Sequence, residues 1–312
     1  MGSMVMTLML RLVRRTDKKG TAALQVTATC VAVQQAESHK CSMLPNHQAA
    51  LAKTYFAVFA AIFSLSAPAL AAESAWSPGP LSQARLLVAG GLDGAGTYRL
   101  AIEIALKGEA HTYWRMPGDA GVPPNLSTEG SQNVASAALL YPAPIRLEEA
   151  GLSVFGYRGA LVLPLDVVPL DPAKPVHLTV AFSYAACEKI CIPAEARASL
   201  DLTPKAPPSA EAGRVAQARV ALPVTTANGG AVTLDVAKKE PASWHVRVAK
   251  PDEPWRDLFA EAPDGWYFET RRAANGFDLV AVEHPKDAKA SPPVTLTLAG
   301  EAHAYEVKLV LP

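Results

Sequence analysis

From Gln83 onward, short runs of alternating apolar and polar residues are separated by clusters of glycine and proline. A period of two is the signature of a half-buried β-strand. It predicts strands at Gln83–Ala89, Tyr98–Leu106, from Thr112 to Arg115, Asn133–Tyr141, Leu161–Val168, Val176–Tyr184 and Ala196–Leu202. A second set is predicted at Val232–Ala237, Trp244–Ala249, Tyr267–Arg272, Phe277–Glu283, Val294–Leu298 and Tyr305–Leu311. Thr203–Pro208, with three prolines, is the clearest linker, because proline blocks both ladder bonds and helix. Ser209–Val220 is expected as a short helix capped by Ser209, with Glu211 early in it. Asp252–Ala260, after Pro251, is expected as a helical turn. Strands at this spacing predict an all-β chain of two β-sandwich domains, residues 72–205 and 206–312.

The start of the chain follows a different pattern. Lys53 precedes an apolar run from Tyr55 to Leu65, Ser66 and Pro68 break it, and Ala69 and Ala71 are small residues placed for cleavage before Ala72. This is the layout of a secretory signal peptide over residues 43–71. The run is short for a membrane span of about 20 residues, which disfavours the alternative of an uncleaved anchor. Residues 1–42, with Arg14, Arg15, Lys18 and Lys19 but no clear apolar core, are expected to be a start-site extension.

Removing the leader changes the composition. The 312 residues carry 29 basic and 29 acidic side chains, and seven of the former and two of the latter lie in residues 1–71. That leaves 22 basic and 27 acidic, a net charge of −5, which gives no electrostatic footprint for nucleic acid. Cys30 and Cys41 leave with the leader, so Cys187 and Cys191 remain in a secreted, disulfide-permissive compartment.

These two are the candidate chemistry. On a straight strand, residues four apart lie about 13 Å from each other. A disulfide needs Cα atoms about 4.4–6.8 Å apart, so Glu188-Lys189-Ile190 must fold back as a tight or helical turn. As a staple, a five-residue loop contributes only about 2 kcal/mol, against about 4.7 for a hundred-residue loop. A short exposed bridge suits redox exchange better. Spacing alone leaves three readings open, a redox pair, a structural disulfide or a metal site. A Cu(I) site would draw on Cys187, Cys191 and Met116, since soft sulfur ligands suit that ion.

Three stretches carry a resemblance. They are His111-Thr-Tyr-Trp-Arg-Met-Pro-Gly-Asp-Ala-Gly121, Gly156-Tyr-Arg-Gly-Ala-Leu-Val-Leu-Pro164 and Tyr184-Ala-Ala-Cys-Glu-Lys-Ile-Cys-Ile-Pro-Ala194. In this order, over most of residues 80–205, they resemble the N-terminal periplasmic (alpha) domain of the thiol:disulfide interchange protein DsbD, and more closely the related copper-tolerance ScsB-type proteins. DsbD has five residues between its cysteines where this chain has three. The resemblance implies an immunoglobulin-like sandwich whose cysteine pair cycles between dithiol and disulfide, with no cofactor. The implied partners are a membrane-embedded DsbD/CcdA-like reductase and periplasmic thioredoxin-like proteins, in a periplasmic setting linked to cytochrome c biogenesis or copper tolerance. Cys191 matches the cysteine that forms the mixed disulfide and Cys187 the resolving one. Phe155 is the candidate aromatic of a cap loop, and Tyr157 and Tyr184 are candidate site-lining residues with an ordinary core role as the alternative.

Other motifs point nowhere specific. The mature histidines show no ligand spacing and no G-x-S-x-G is present. Gly90–Gly96 is glycine-rich, but no helix follows it, so it is expected as a hairpin connection rather than a phosphate loop. The rival to an exchange protein is a non-enzymatic binding module with a structural disulfide.

Overall fold

The computed structural model describes residues 10–16, 22–28, 73–240, 242–250, 254–286 and 291–312. Within the first 42 residues, Leu10–Thr16 and Ala22–Ala28 pair as an antiparallel two-stranded sheet. The expected signal peptide, 43–71, lies outside the described residues.

From Glu73 onward the chain is almost entirely β, an all-β fold of immunoglobulin-like type. Two sheets enclose the first core. One has the strand order Ser77–Pro78, Ser82–Leu92, Tyr98–Leu106, Ala160–Pro169, Val134–Leu139. The other runs Cys191–Leu202, Val176–Cys187, His111–Gly118, Leu152–Arg158, Ile145–Glu149, with Asn125–Ser127 added beside Val176–Cys187. Inward residues alternate along each strand, as the period of two requires: Leu100, Ile102 and Ile104 from one sheet meet Leu178, Val180 and Phe182 from the other. A buried hydrogen bond between Ser82 Oγ and Tyr184 Oη, 2.9 Å, ties the sheets together.

Two further sheets enclose a second core. Val224–Thr226, Ala304–Val310, Pro293–Gly300 and Trp255–Glu261 form one, and Thr233–Lys238, Ser243–Lys250, Gly276–Glu283 and Tyr267–Ala273 the other. Trp244, Val246, Phe268, Phe277, Leu279, Leu296 and Leu298 fill the space between them.

Two expectations need correction. The segment expected as a helical turn before Ala260 is a strand, Trp255–Glu261. Trp255, Leu258, Phe259 and Ala260 are buried, and the segment pairs antiparallel with Pro293–Gly300. Burial between sheets outweighs the local helical signal of Pro251 and the acidic residues after it. The helix is present as Ala212–Val220, but Ser209 does not cap it; the N-cap position is Glu211, without a side-chain cap. Ser209 Oγ instead donates to the Val88 carbonyl and accepts from the Glu211 N–H at 3.0 Å. The helix lies on the outer face of the first sheet, where Val215 packs with Leu87 and Ala101. Arg214 pairs there with Glu103 and Arg219 with Asp166.

Candidate functional site

Val176–Cys187 and Cys191–Leu202 form one antiparallel hairpin, in unbroken register from Val176 opposite Leu202 to Cys187 opposite Cys191. The fold-back required by the cysteine spacing is therefore the hairpin's own turn. Its three residues are closed by the Glu188 N–H donating to the Ile190 carbonyl at 3.2 Å. This places the two Cα atoms 4.0 Å apart, and the sulfurs are bonded.

The two halves of the bridge differ. Cys187 lies on an interior strand and is paired on its other side with His111, so it is only 1% exposed. Cys191 begins the edge strand of the sheet and is exposed. Cys191 is therefore the half of the bridge that faces solvent, and Cys187 the half that does not.

Two neighbouring strands bring polar groups to the bridge. His111 and Tyr113 are two apart on His111–Gly118 and so share a face. Glu149 ends the strand Ile145–Glu149, where the chain reverses through Ala150 and Gly151, both with positive φ (51° and 83°), into Leu152. Such φ values are those of a tight hairpin turn. Tyr113 Oη donates to Glu149 Oε2 at 2.7 Å and lies 3.1 Å from Cys187 Sγ and 3.3 Å from Cys191 Sγ. Glu149 Oε1 lies 3.2 Å from Cys191 Sγ. A disulfide sulfur carries no proton, so this is a close contact in the oxidised form and becomes a hydrogen bond from the thiol on reduction. His111 Nε2 is 3.4 Å from Glu149 Oε2, and the His111 ring meets Tyr113 edge-on.

Burial, and then the hydrogen bond and charge of Glu149, push the Tyr113 hydroxyl well above its ordinary pKa. It therefore stays protonated, with its one proton on Glu149 in the oxidised form and Cys187 Sγ within reach of a turn of the hydroxyl. Tyr113 is itself nearly covered: the backbone at Gly121 (φ 106°) lies so close that a Cβ there would sit 2.5 Å from the ring. Val154, Ala185, Ala120 and Leu147 complete the small apolar cluster around Tyr113 and Cys187.

Of the residues expected at the site, only the cysteines come together. Phe155 is buried in the main core, with its ring 4.9 Å from Phe259. Its neighbour Val154 occupies the bridge side of the same strand. Tyr184 stacks on Phe182 in the core, and Tyr157 is buried there with its hydroxyl donating to the Pro142 carbonyl at 2.8 Å. Met116 packs against the main core and does not join the sulfurs, which removes it from a Cu(I) set. Instead, His111, Glu149 and Cys187 place potential ligand atoms within 4.8 Å of one another. Nothing in the sequence alone marks His111, Tyr113 or Glu149 for this role. The first two open the quoted HTYWRMP stretch, whereas Glu149 sits in a run whose alternation is too short to read.

The second pair of sheets braces these strands from behind. Arg115 forks onto Glu261 at 2.8 and 2.7 Å and also reaches Glu306. Burial alone would lower the Arg115 pKa, but the two carboxylates outweigh it and raise it. Arg146 forks onto Asp257 at 2.9 and 2.8 Å and donates to Ser153 and Thr270. Tyr267 Oη donates to Asp119 Oδ1 at 2.6 Å, holding the start of the loop that covers Tyr113.

Comparison with known proteins gives the following. The family described as "Thiol:disulfide interchange protein DsbD, N-terminal" matches residues 89–203. The crystal structure of the N-terminal periplasmic domain of ScsB from Proteus mirabilis aligns at a TM-score of 0.61 and 18% identity, over 77% of this chain and 98% of that one. At that identity the likeness is one of fold, and it extends well beyond residues 89–203. The yeast GGA1 GAE domain aligns at a TM-score of 0.23 and 11% identity, over 41% of this chain and 97% of its own, too weakly to carry an argument. No curated protein matches the chain.

Proposed function

We propose that this chain, whose residues 89–203 form a DsbD/ScsB-like N-terminal domain, is a periplasmic protein that exchanges disulfides with protein partners through Cys187 and Cys191. The observation that carries this reading is the asymmetry of the bridge. A pair kept only as a staple gains nothing from one exposed and one buried sulfur, whereas exchange needs one sulfur open to attack and one that leaves and returns.

In the oxidised protein, a donor thiolate attacks Cys191 Sγ. The Cys187–Cys191 bond breaks, a mixed disulfide forms on Cys191, and Cys187 leaves as a thiolate within reach of the Tyr113 hydroxyl. A second donor thiol then resolves the mixed disulfide, leaving the dithiol. In the reverse sense, Cys191 gives its proton to Glu149 and attacks a partner disulfide, and one partner sulfur leaves. Cys187 then attacks Cys191 Sγ, re-forms the bridge and releases the partner as a dithiol. Thiolate is the reactive form, so a carboxylate 3.2 Å from Cys191 serves as its base.

In this reading the donor is a membrane-embedded reductase and the acceptors are thioredoxin-like proteins, as membership of the DsbD family implies in general. Among the described residues, no helix is long and apolar enough to cross a membrane. The expected second domain, residues 206–312, is proposed as a module whose two sheets, from Val224 onward, brace the site strands while its helix Ala212–Val220 packs on the first sheet. Equilibration of the full chain with glutathione redox buffers tests the assignment. A potential above about −300 mV is expected, and one far below that would make the bridge a structural staple.

A further inference from the structure

The exchange steps use two sulfurs, one carboxylate and one hydroxyl, and leave His111 without a task. It is 5% exposed, yet its Nε2 is aimed at Glu149 Oε2 beside the bridge. We infer that the reduced pair, with His111 and Glu149, forms a binding site for a thiophilic divalent cation of the Zn²⁺ type. This rests on the proposed cycling of Cys187 and Cys191 through the dithiol.

Tetrahedral bonds of about 2.0–2.3 Å hold ligand atoms about 3.3–3.8 Å apart. One separation falls in this range, His111 Nε2 to Glu149 Oε2 at 3.4 Å; Cys191 Sγ lies 3.2 Å from the other carboxylate oxygen, Oε1, and joins the group of His111, Glu149 and Cys187 only when reduction frees it to move. Cys187 Sγ is within 4.8 Å of the His111 and Glu149 ligand atoms. Reduction lets the sulfurs part toward the same spacing. Two thiolates and an imidazole suit a borderline d¹⁰ cation, and the carboxylate favours Zn²⁺ over Cu(I). Tyr113, which donates to Glu149, supplies the outer hydrogen bond that orients a ligating carboxylate. His111 and Cys187 are paired across adjacent strands, so these ligands are held before the ion arrives.

Binding to the dithiol releases two protons as both thiols become thiolates. Oxidation reverses it: a partner disulfide takes two electrons and two protons to become two thiols, the Cys187–Cys191 bond forms, and the cation leaves. Cation and disulfide are therefore mutually exclusive at this site.

The test uses the full chain, reduced with a phosphine in the absence of oxygen and titrated with Co²⁺ and then Zn²⁺. A tetrahedral, thiolate-bound Co²⁺ spectrum at one ion per chain is expected, displaced by Zn²⁺ and absent from the oxidised protein. His111→Ala and Glu149→Gln should each weaken Zn²⁺ binding by more than about tenfold, at least the loss that removing an outer partner causes. Glu149→Gln, at a partly exposed turn, covers the case in which the buried histidine variant does not fold. Failure of the reduced wild type to give this spectrum would overturn the inference. So would variants that bind as tightly as wild type, since a bare dithiol would then account for the binding. Phosphine reduces the pair whatever its partners, and the potential is measured separately in glutathione. Failure here is thus distinguishable from failure of the exchange reading.

Discussion

Glu149 Oε1 lies 3.2 Å from the sulfur of Cys191, the exposed half of a disulfide whose other half is buried. The carboxylate is thus placed at the sulfur that can be reached, where it can take the thiol proton. Glu149→Gln keeps the shape and removes the base. The reduced variant should attack a small disulfide about tenfold more slowly at pH 7, where an ordinary thiol is only a few per cent ionised. The difference should vanish above about pH 9, once the thiol ionises unaided. Stopped-flow rates across this range check it; equal rates at pH 7 would remove Glu149 from the mechanism.

Tyr113→Phe deletes the hydroxyl that touches both sulfurs and leaves the ring in its slot against Gly121. The departing Cys187 thiolate then loses the hydroxyl that can turn to it from Glu149, 3.1 Å away, a donor worth about 1 kcal/mol, so reductive opening of the bridge should slow about fivefold. Single-turnover reduction by a dithiol reads this directly. The melting temperature should move little by comparison.

Arg146→Ala separates bracing from chemistry. Arg146 forks onto Asp257 and donates to Ser153 and Thr270, but its side chain is about a third exposed. Charge-assisted bonds there, discounted for solvent, amount to about 1–2 kcal/mol. Denaturant unfolding should show a loss of that size, with the intrinsic rate of exchange at Cys191 unchanged.

Acid should weaken the contact between the helix and the first sheet. Burial would raise the Glu103 pKa, but hydrogen bonds from Arg214 and Arg85 outweigh it and hold the pKa below its ordinary value of 4.5. The stabilisation is fully present above that ordinary value and is lost as pH falls through the lowered one. Glu103→Gln should therefore flatten the pH dependence of stability below about pH 4.5, as thermal melts at several pH values would show.

Much of this was legible in the sequence because strands buried on one face alternate strictly. The alternation gives Tyr98–Leu106 its observed bounds, and the cysteine spacing demands the turn that the hairpin provides. What escaped was set by which face a residue takes. Phe155 and Val154 are adjacent, so one enters the core and the other the bridge cluster. Tyr184 and Ala185 divide in the same way. Nothing local says which face belongs to which. Glu149 reaches the site only because Ile145–Glu149 pairs beside Leu152–Arg158, a contact between strands that no periodicity in so short a run reveals. Trp255–Glu261 reads locally as a helical turn because the partner that makes it a strand, Pro293–Gly300, is distant in sequence.

The central claim, that Cys191 receives the partner and Cys187 resolves it, is tested most directly by trapping mixed disulfides in cells. Cys187→Ser leaves the exposed sulfur without its resolving partner, so it should accumulate an adduct with a thioredoxin-like protein that reductant releases. Cys191→Ser, left with Cys187, a residue only 1% exposed in the bridged form, should accumulate almost none. An adduct from neither variant, or from Cys191→Ser alone, would contradict the account.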